Sequence, residues 1–238
     1  MNEVTTNIQV LIVAAGIGSR FNSKSDLPKQ YHLIGNKTVL AHSIEAFNTV
    51  KCNGITVTTH SDDCWWKNIT FQSTHEVKQC SGGDSRNQSV INGLNAIKQN
   101  HKDGPKDIWV LIHDAARPCV TPTDLERLIS QCQSHNIGGL LVKPITDTIK
   151  YSDDEKHSSR TINRDQLFAA MTPQMFKLDD LLTHLQQAIP DMTTDDASAF
   201  EQAGLQPLLV QGNGQNIKIT YPEDLTLAHF YLQQQGRL

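Results

Sequence analysis

The chain has 238 residues, 38% of them hydrophobic and 19% charged, the composition of a globular domain with enough chain to bury a sizeable core. Its net charge of -4 argues against a protein that grips nucleic acid through a broad basic face. The longest apolar run, Val10 to Ala15, falls far short of the roughly 20 residues a membrane span needs.

In chain order, Val10–Ala14 reads as a buried strand, and Val39–Phe47 carries helical spacing at Val39, Leu40, Ile44 and Phe47. Ile55–Thr59 is a second strand, and Ser85–Gln99 a helix with Val90, Ile91, Leu94 and Ile97 on one face. Ile108–Ile112 is a third strand, followed by a helix over Pro122–Ser134 that has proline in its first turn. Leu140–Val142 is again strand. Pro207–Val210 and Ile217–Thr220 bracket a Gly-Asn-Gly turn, and Pro222–Gln235 closes the chain as a helix. This alternation predicts one α/β domain over 1–238, with a mostly parallel sheet and helices on both faces. Residues 144–175 break the pattern. Two β-like pieces, Ile145–Tyr151 and Arg160–Ile162, surround a charged tip, which predicts a protruding β-arm. A lone hairpin is marginal in water, so a second subunit is its expected support.

The N-terminus shows no basic stretch ahead of an apolar one, so no secretory leader is expected. Five cysteines without a C-x-x-C pair read as free thiols of a cytoplasmic protein. The ten histidines show no metal-ligand spacing.

Three loops carry chemistry. Ala14-Ala15-Gly16-Ile17-Gly18-Ser19-Arg20 follows the first strand, where a glycine turn lets backbone N–H groups approach phosphate. A third glycine is missing at Phe21 and no Gly-Lys-Ser/Thr follows, so this is neither a dinucleotide fingerprint nor a Walker loop. A plain structural turn explains the two glycines as well. The cations Arg20, Lys24 and Lys29, opposed only by Asp26, point instead to an anionic ligand such as a triphosphate. Asp114 ends the third strand, either to hold magnesium or to cap the following turn. Gly82-Gly83-Asp84-Ser85-Arg86 opens a helix, either to read a base and ribose or simply as a capped N-terminus.

Taken jointly, AAGIGSR (14–20), PKQY (28–31), GGDSRNQSV (82–90), HDAARP (113–118), DT (147–148), NRDQLFAAMTPQ (163–174), TDDASA (194–199) and NIKIT-PEDL (216–225) resemble the 2-C-methyl-D-erythritol 4-phosphate cytidylyltransferase family, in the family's order and over residues 10–230. The resemblance implies a Rossmann-like nucleotidyltransferase fold. It implies CTP on Ala14, Ala15, Gly16 and Gly18, with Arg20 and Lys29 on the reacting phosphates. Gly83, Asp84, Ser89 and Ala115 would meet the cytosine and ribose, and Asp114 and Lys218 would flank the reacting centre. Arg117, Thr148, Arg164, Thr172 and Thr194 would hold methylerythritol phosphate. A magnesium ion on Asp114 and a homodimer clasped by the 144–175 arm complete what the resemblance implies, with neither nucleic acid nor membrane as partner. Some members have an acidic residue before Asn-Ile-Lys; this chain has Gln215, which leaves Asp114 to serve with phosphate oxygens and water.

Two rivals stand beside this reading: a cytidylyltransferase for another polyol phosphate such as ribitol 5-phosphate, and a non-catalytic nucleotide-sensing module. The full set of Arg20, Lys29, Asp114 and Lys218 speaks against the sensor, because binding alone does not require cations around an α-phosphate.

Overall fold

A computed structural model describes residues 7–16, 21, 27–101 and 107–238. In chain order its strands are β1 (Asn7–Val13), β2 (Leu33–Ile34), β3 (Lys37–Thr38), β4 (Gly54–Thr59), β5 (Val77–Ser81), β6 (Ile108–Asp114), β7 (Gly138–Pro144), β8 (Ile149–Tyr151), β9 (Arg160–Ile162), β10 (Phe168–Lys177) and β11 (Leu208–Gln211). The helices are α1 (Val39–Glu45), α2 (Arg86–Asn100), α3 (Pro122–Gln133), α4 (Leu178–Gln187), α5 (Asp196–Gln202) and α6 (Asp224–Gln234).

Seven strands form one sheet in the order β11-β7-β10-β6-β1-β4-β5. Every neighbouring pair is parallel except those made by β10, which runs antiparallel to both β6 and β7. Strand β1 shows why the sequence is continuously apolar from Val10 to Val13. Ile8, Val10 and Ile12 join Leu40, Ile44, Leu125 and Leu128 of α1 and α3 on one face. Leu11, between them, joins Val90, Leu94, Leu181 and Phe200 of α2, α4 and α5 on the other. A strand covered on both faces has no polar side, so its period of two is invisible in hydropathy. A third cluster packs α6, through Ala228 and Leu232, onto Phe21, Ile34, Val39 and Ile219.

Helix α2 starts where Ser85 accepts a hydrogen bond from the Gln88 amide, and its Val90, Leu94 and Ile97 stripe faces the sheet. Helix α3 starts the same way, with Thr121 as cap and Pro122 in the first turn.

Two expectations are corrected. Ile217–Thr220 is extended but pairs with no strand; its anchor is the Ile219 amide on the Ala116 carbonyl (2.8 Å), with Ile219 buried below. The arm is also shorter than 144–175. Strands β8 and β9 form their own two-stranded hairpin. Its base closes where the Ile145 amide meets the Leu167 carbonyl (3.1 Å), and from Phe168 the chain re-enters the main sheet as β10. The register of β10 on β7 shifts between Ala170 and Gln174. Among the described residues no helix is long and apolar enough to cross a membrane.

Gly93 brings α2 onto the sheet. A Cβ there would lie 2.3 Å from Leu11 Cδ1 and 3.0 Å from Thr58 Cγ2, both on fully buried residues. Gly93→Ala is therefore expected to destabilise the fold by about 1–3 kcal/mol through overpacking, although alanine favours an exposed helix by about 1 kcal/mol. Urea unfolding of both proteins checks this. A more stable variant would mean that α2 can lift from the sheet freely.

Candidate active site

The chain leaves β1 toward β4 and β5, then returns along α2 to place β6 on the other side of β1. Such a switch in strand order opens a crevice at the carboxyl ends of the strands. Here it is a cavity of about 380 Å³. The turns after β1, β4, β5 and β6 converge on it and are tied together by backbone bonds that prolong the sheet. Ala14 N–H donates to Thr58 O (2.8 Å), Gly82 N–H to Thr59 O (2.7 Å) and Ala115 N–H to Val13 O (3.1 Å). Buried Gln30 donates to the Ala14 carbonyl (2.7 Å), and Ser43 to the Ala115 carbonyl (2.7 Å), which fixes both turns from behind. At Gly82 a Cβ would lie 2.5 Å from the Ala15 Cβ, so only glycine lets the first and third turns approach this closely.

Of the residues expected in the site, Ala14, Ala15, Gly16, Lys29 and Asp114 line the cavity, as do Gly83, Asp84, Ser89, Ala115 and Lys218. Ser89 is buried; its hydroxyl accepts from the Gly83 amide (3.0 Å) and donates to the Ser85 carbonyl (2.8 Å), which shapes the turn from below. Lys29 Nζ donates to the Ile219 carbonyl (2.9 Å), bridging to the segment that carries Lys218. Gly18 and Arg20 lie outside the described residues, as does Lys24.

The remaining five do not line this chain's cavity. Thr148 and Arg164 are exposed at the base of the arm, where Arg164 donates to the Thr146 carbonyl. Thr194 is exposed, just before α5. Arg117 donates to the Asn216 carbonyl (2.8 Å) and so braces the 216–220 segment. Thr172 is buried, and its hydroxyl accepts from the Asp114 amide (3.0 Å). The same hydroxyl lies 3.1 Å from His113 Nδ1, and His113 Nε2 lies 2.9 Å from the Arg117 carbonyl. A neutral imidazole protonated on Nε2 satisfies the whole chain, with Thr172 donating to Nδ1.

The electrostatic centre is Asp114. Its Oδ2 pairs with Lys218 Nζ at 2.6 Å and its Oδ1 with Arg86 Nε at 3.2 Å. Arg86 in turn grips Asp196 with both terminal nitrogens, each at 2.9 Å. Burial opposes ionisation of Asp114, but Arg86 and Lys218 outweigh it and hold the carboxyl well below the usual carboxylate range. Burial likewise opposes the charge on Arg86, and Asp196 and Asp114 overcome it, so its pKa is raised. Among the described residues no three His, Cys, Asp or Glu side chains come together to hold a metal ion. Asp114 is one carboxylate with both oxygens already engaged by cations, which is not a metal cage.

Reading the sequence missed Gln30 and His60 as cavity residues, offered Ser85 and Arg86 only as parts of a base-reading turn or a capped helix start, and missed Asp196 behind them. A signal was present for Arg86. It is the first residue of α2, where a cation meets the positive end of the helix dipole, so it needs carboxylates beside it.

Known proteins resemble this chain over nearly its whole length. The family model described as 2-C-methyl-D-erythritol 4-phosphate cytidylyltransferase matches residues 8–234. A relative of that name from Vibrio parahaemolyticus is 42% identical over 238 residues, covering 99% of each chain. Another from Buchnera aphidicola is 40% identical over 240 residues, covering 98% of this chain and 96% of that protein. A crystal structure of 2-C-methyl-D-erythritol 4-phosphate cytidylyltransferase from Francisella tularensis is 33% identical with a TM-score of 0.79, over 95% of this chain and 100% of that one. A crystal structure titled 4-diphosphocytidyl-2C-methyl-D-erythritol synthase superposes with a TM-score of 0.80 at 32% identity, over 96% of this chain and 99% of that one.

Burial pushes His113 down to about 4 from its ordinary 6.5. Above pH 6.5 the ring is neutral folded or unfolded. Between 6.5 and 4 the unfolded chain takes up a proton that the folded one refuses, so stability falls as pH falls, by up to roughly 3 kcal/mol from this residue. His42, also lowered by burial, acts in the same direction. His113→Asn should therefore lose less stability than the parent between pH 7 and pH 4.5, measured by urea unfolding. Parallel profiles would refute a buried neutral ring.

Proposed function

The chain belongs to the 2-C-methyl-D-erythritol 4-phosphate cytidylyltransferase family, and we propose that it transfers CMP from CTP to 2-C-methyl-D-erythritol 4-phosphate, giving CDP-methylerythritol and pyrophosphate for non-mevalonate isoprenoid precursors. One observation carries the chemistry: Lys29 and Lys218 line a single cavity at the carboxyl ends of β1 and β6, beside a glycine turn. The nucleophile is a phosphate monoester, an anion at neutral pH, so no side chain has to remove a proton from it. A bond forms from its oxygen to the α-phosphorus of CTP as the bond to the β-phosphate breaks. The obstacle is the approach of one anion to another and the charge that gathers at phosphorus. Fixed cations relieve both, at about 3 kcal/mol or more per well-aimed group. Lys29 and Lys218 supply them here, with Arg20 as the third by resemblance to the family.

Magnesium belongs with the nucleotide in this reading. Asp114 would be the one carboxylate to hold it, together with phosphate oxygens and water, and the ion would neutralise triphosphate charge and help pyrophosphate leave. Five free cysteines suit a reducing, cytoplasmic setting.

A homodimer is the second part of the proposal. Thr148 and Arg164 are solvent-facing, outside the cavity of their own chain, on a hairpin that pairs only with itself. An arm that hooked across a two-fold axis would bring both to the partner's cavity and bury Tyr151 and Phe168, which are 41% and 44% exposed.

The reaction is tested by assaying pyrophosphate release with a panel of polyol phosphates crossed with CTP, UTP and ATP. CTP with methylerythritol phosphate is expected to be the fastest pair. Faster turnover of ribitol 5-phosphate would transfer the assignment to that substrate, and no turnover at all would favour a sensor.

The shared site has its own test. Lys29→Ala and Arg164→Ala chains, each inactive alone, are unfolded, mixed and refolded. If Arg164 serves the partner, half the dimers are mixed and each keeps one intact cavity, so about a quarter of the parent activity returns. No recovery in a sample whose mixed dimers are verified by mass spectrometry ends the idea.

A further inference from the structure

We infer that Arg86 is a positioning residue for transfer, acting through Asp114 to aim the Lys218 ammonium; this rests on the cytidylyl-transfer reading above. Four side chains of alternating sign run from the interior to the cavity: Asp196, Arg86, Asp114, Lys218. Side-chain exposure along that order is 1%, 28%, 10% and 37%, so the two carboxylates are the more buried members and Asp196 and Lys218 mark the inner and outer ends. Each link is short: 2.9 Å for both Arg86–Asp196 contacts, 3.2 Å for Arg86–Asp114 and 2.6 Å for Asp114–Lys218.

The arrangement follows from the chemistry of each group. Lysine is a point charge on a flexible stem, and Lys218 sits on a segment outside the sheet ladders. Its direction therefore depends on whatever holds its ammonium, which is Asp114 Oδ2. Asp114 is held in turn at three points. Its amide donates to Thr172, its Oδ1 accepts from Arg86, and its backbone is strand β6. Arg86 is fixed because its planar fork meets Asp196 in two parallel bonds, a geometry that lysine cannot copy. Asp196 is itself fixed as the first residue of α5, whose cap Asp195 is anchored by the Gln174 side-chain amide (2.8 Å). The anchor for Lys218 thus lies on a helix that does not line the cavity.

This differs from plain structural support in one measurable way. If Arg86 acts through Lys218, its removal should cost nothing more once Lys218 is gone. Arg86→Gln alone leaves Asp196 as a buried, unpaired carboxylate and can unfold the chain, so the test uses Arg86→Gln/Asp196→Asn, which removes both charges together. With CTP and methylerythritol phosphate, this pair is expected to lower kcat about ten- to a hundredfold and to change KM for CTP less than about threefold. In a Lys218→Met background the same pair should lower kcat by less than about twofold more. Equal losses in both backgrounds, or an unchanged kcat in the parent background, overturn the inference. Thermal unfolding of all four proteins identifies any that fail to fold; should the paired variant be one, Arg86→Lys, which keeps a charge but not the fork, replaces it with the same criterion. A parent enzyme that releases no pyrophosphate would instead count against the transfer reading itself.

Discussion

A strand buried on both faces has only its ends to offer. Strand β1 sits in that position, with α1 and α3 on one side and α2, α4 and α5 on the other, and its backbone is paired with β4 and β6 on its two edges. Chemistry is thereby pushed to the carboxyl edge, where the parallel strands β1, β4, β5 and β6 all end at one level and their turns can be laced together. The lacing is done by backbone bonds between successive turns and by two buried polar side chains, Gln30 and Ser43, each of which donates to a turn carbonyl. Rigid turns matter because a cavity for a polyanion works only if its donors are already aimed when the ligand arrives.

Charge at this edge is arranged against the usual preference of a protein interior. Two carboxylates and an arginine are taken largely out of water, and such a group is costly unless each member is paired in good geometry. Here each is. Asp114 has a cation on either oxygen, and Arg86 has a carboxylate on either side. Within the cluster the charges cancel, two carboxylates against Arg86 and Lys218, so it turns no unpaired carboxylate toward the cavity. That is the right bias for a triphosphate meeting a phosphate monoester. The antiparallel strand β10 contributes from behind, since the register shift between Ala170 and Gln174 is where Thr172 reaches the Asp114 amide.

What could be read in the sequence was set by burial. The doubly covered strands and the helices with a clean stripe, such as Val90, Leu94 and Ile97, announce themselves by periodicity. Strand β5 did not, because Lys78 and Gln79 on an outer, half-exposed strand look like a loop. Strand β10 was mistaken for arm because Pro173 breaks its apolar run, while Ile217–Thr220 looked like strand because two isoleucines alternate there without any ladder. The cavity turns were legible because cations gather beside the glycines there, whereas the glycines alone read equally well as a plain turn. Arg86 was not, since a charged residue at a helix start looks solvated until the fold brings Asp114 and Asp196, 28 and 110 residues away, to meet it. Thr148 and Arg164, expected on the substrate side, lie outside this chain's cavity; in the homodimer proposed above they would serve the other copy, which a single sequence does not record.

The closure of the arm at Ile145 and Leu167 separates two rates of change. Strands β7 and β10 are neighbours in the sheet, so everything between them leaves and returns at one point, and the core does not register what the excursion contains. Residues can be added to or removed from the tip at little thermodynamic penalty, because loop closure depends only weakly on length. A lineage can therefore remodel this appendage, and with it the fit to a neighbouring molecule, while the turns around the cavity stay as they are. The hairpin is thus a module inserted into the catalytic domain at a single seam, free to drift on its own schedule.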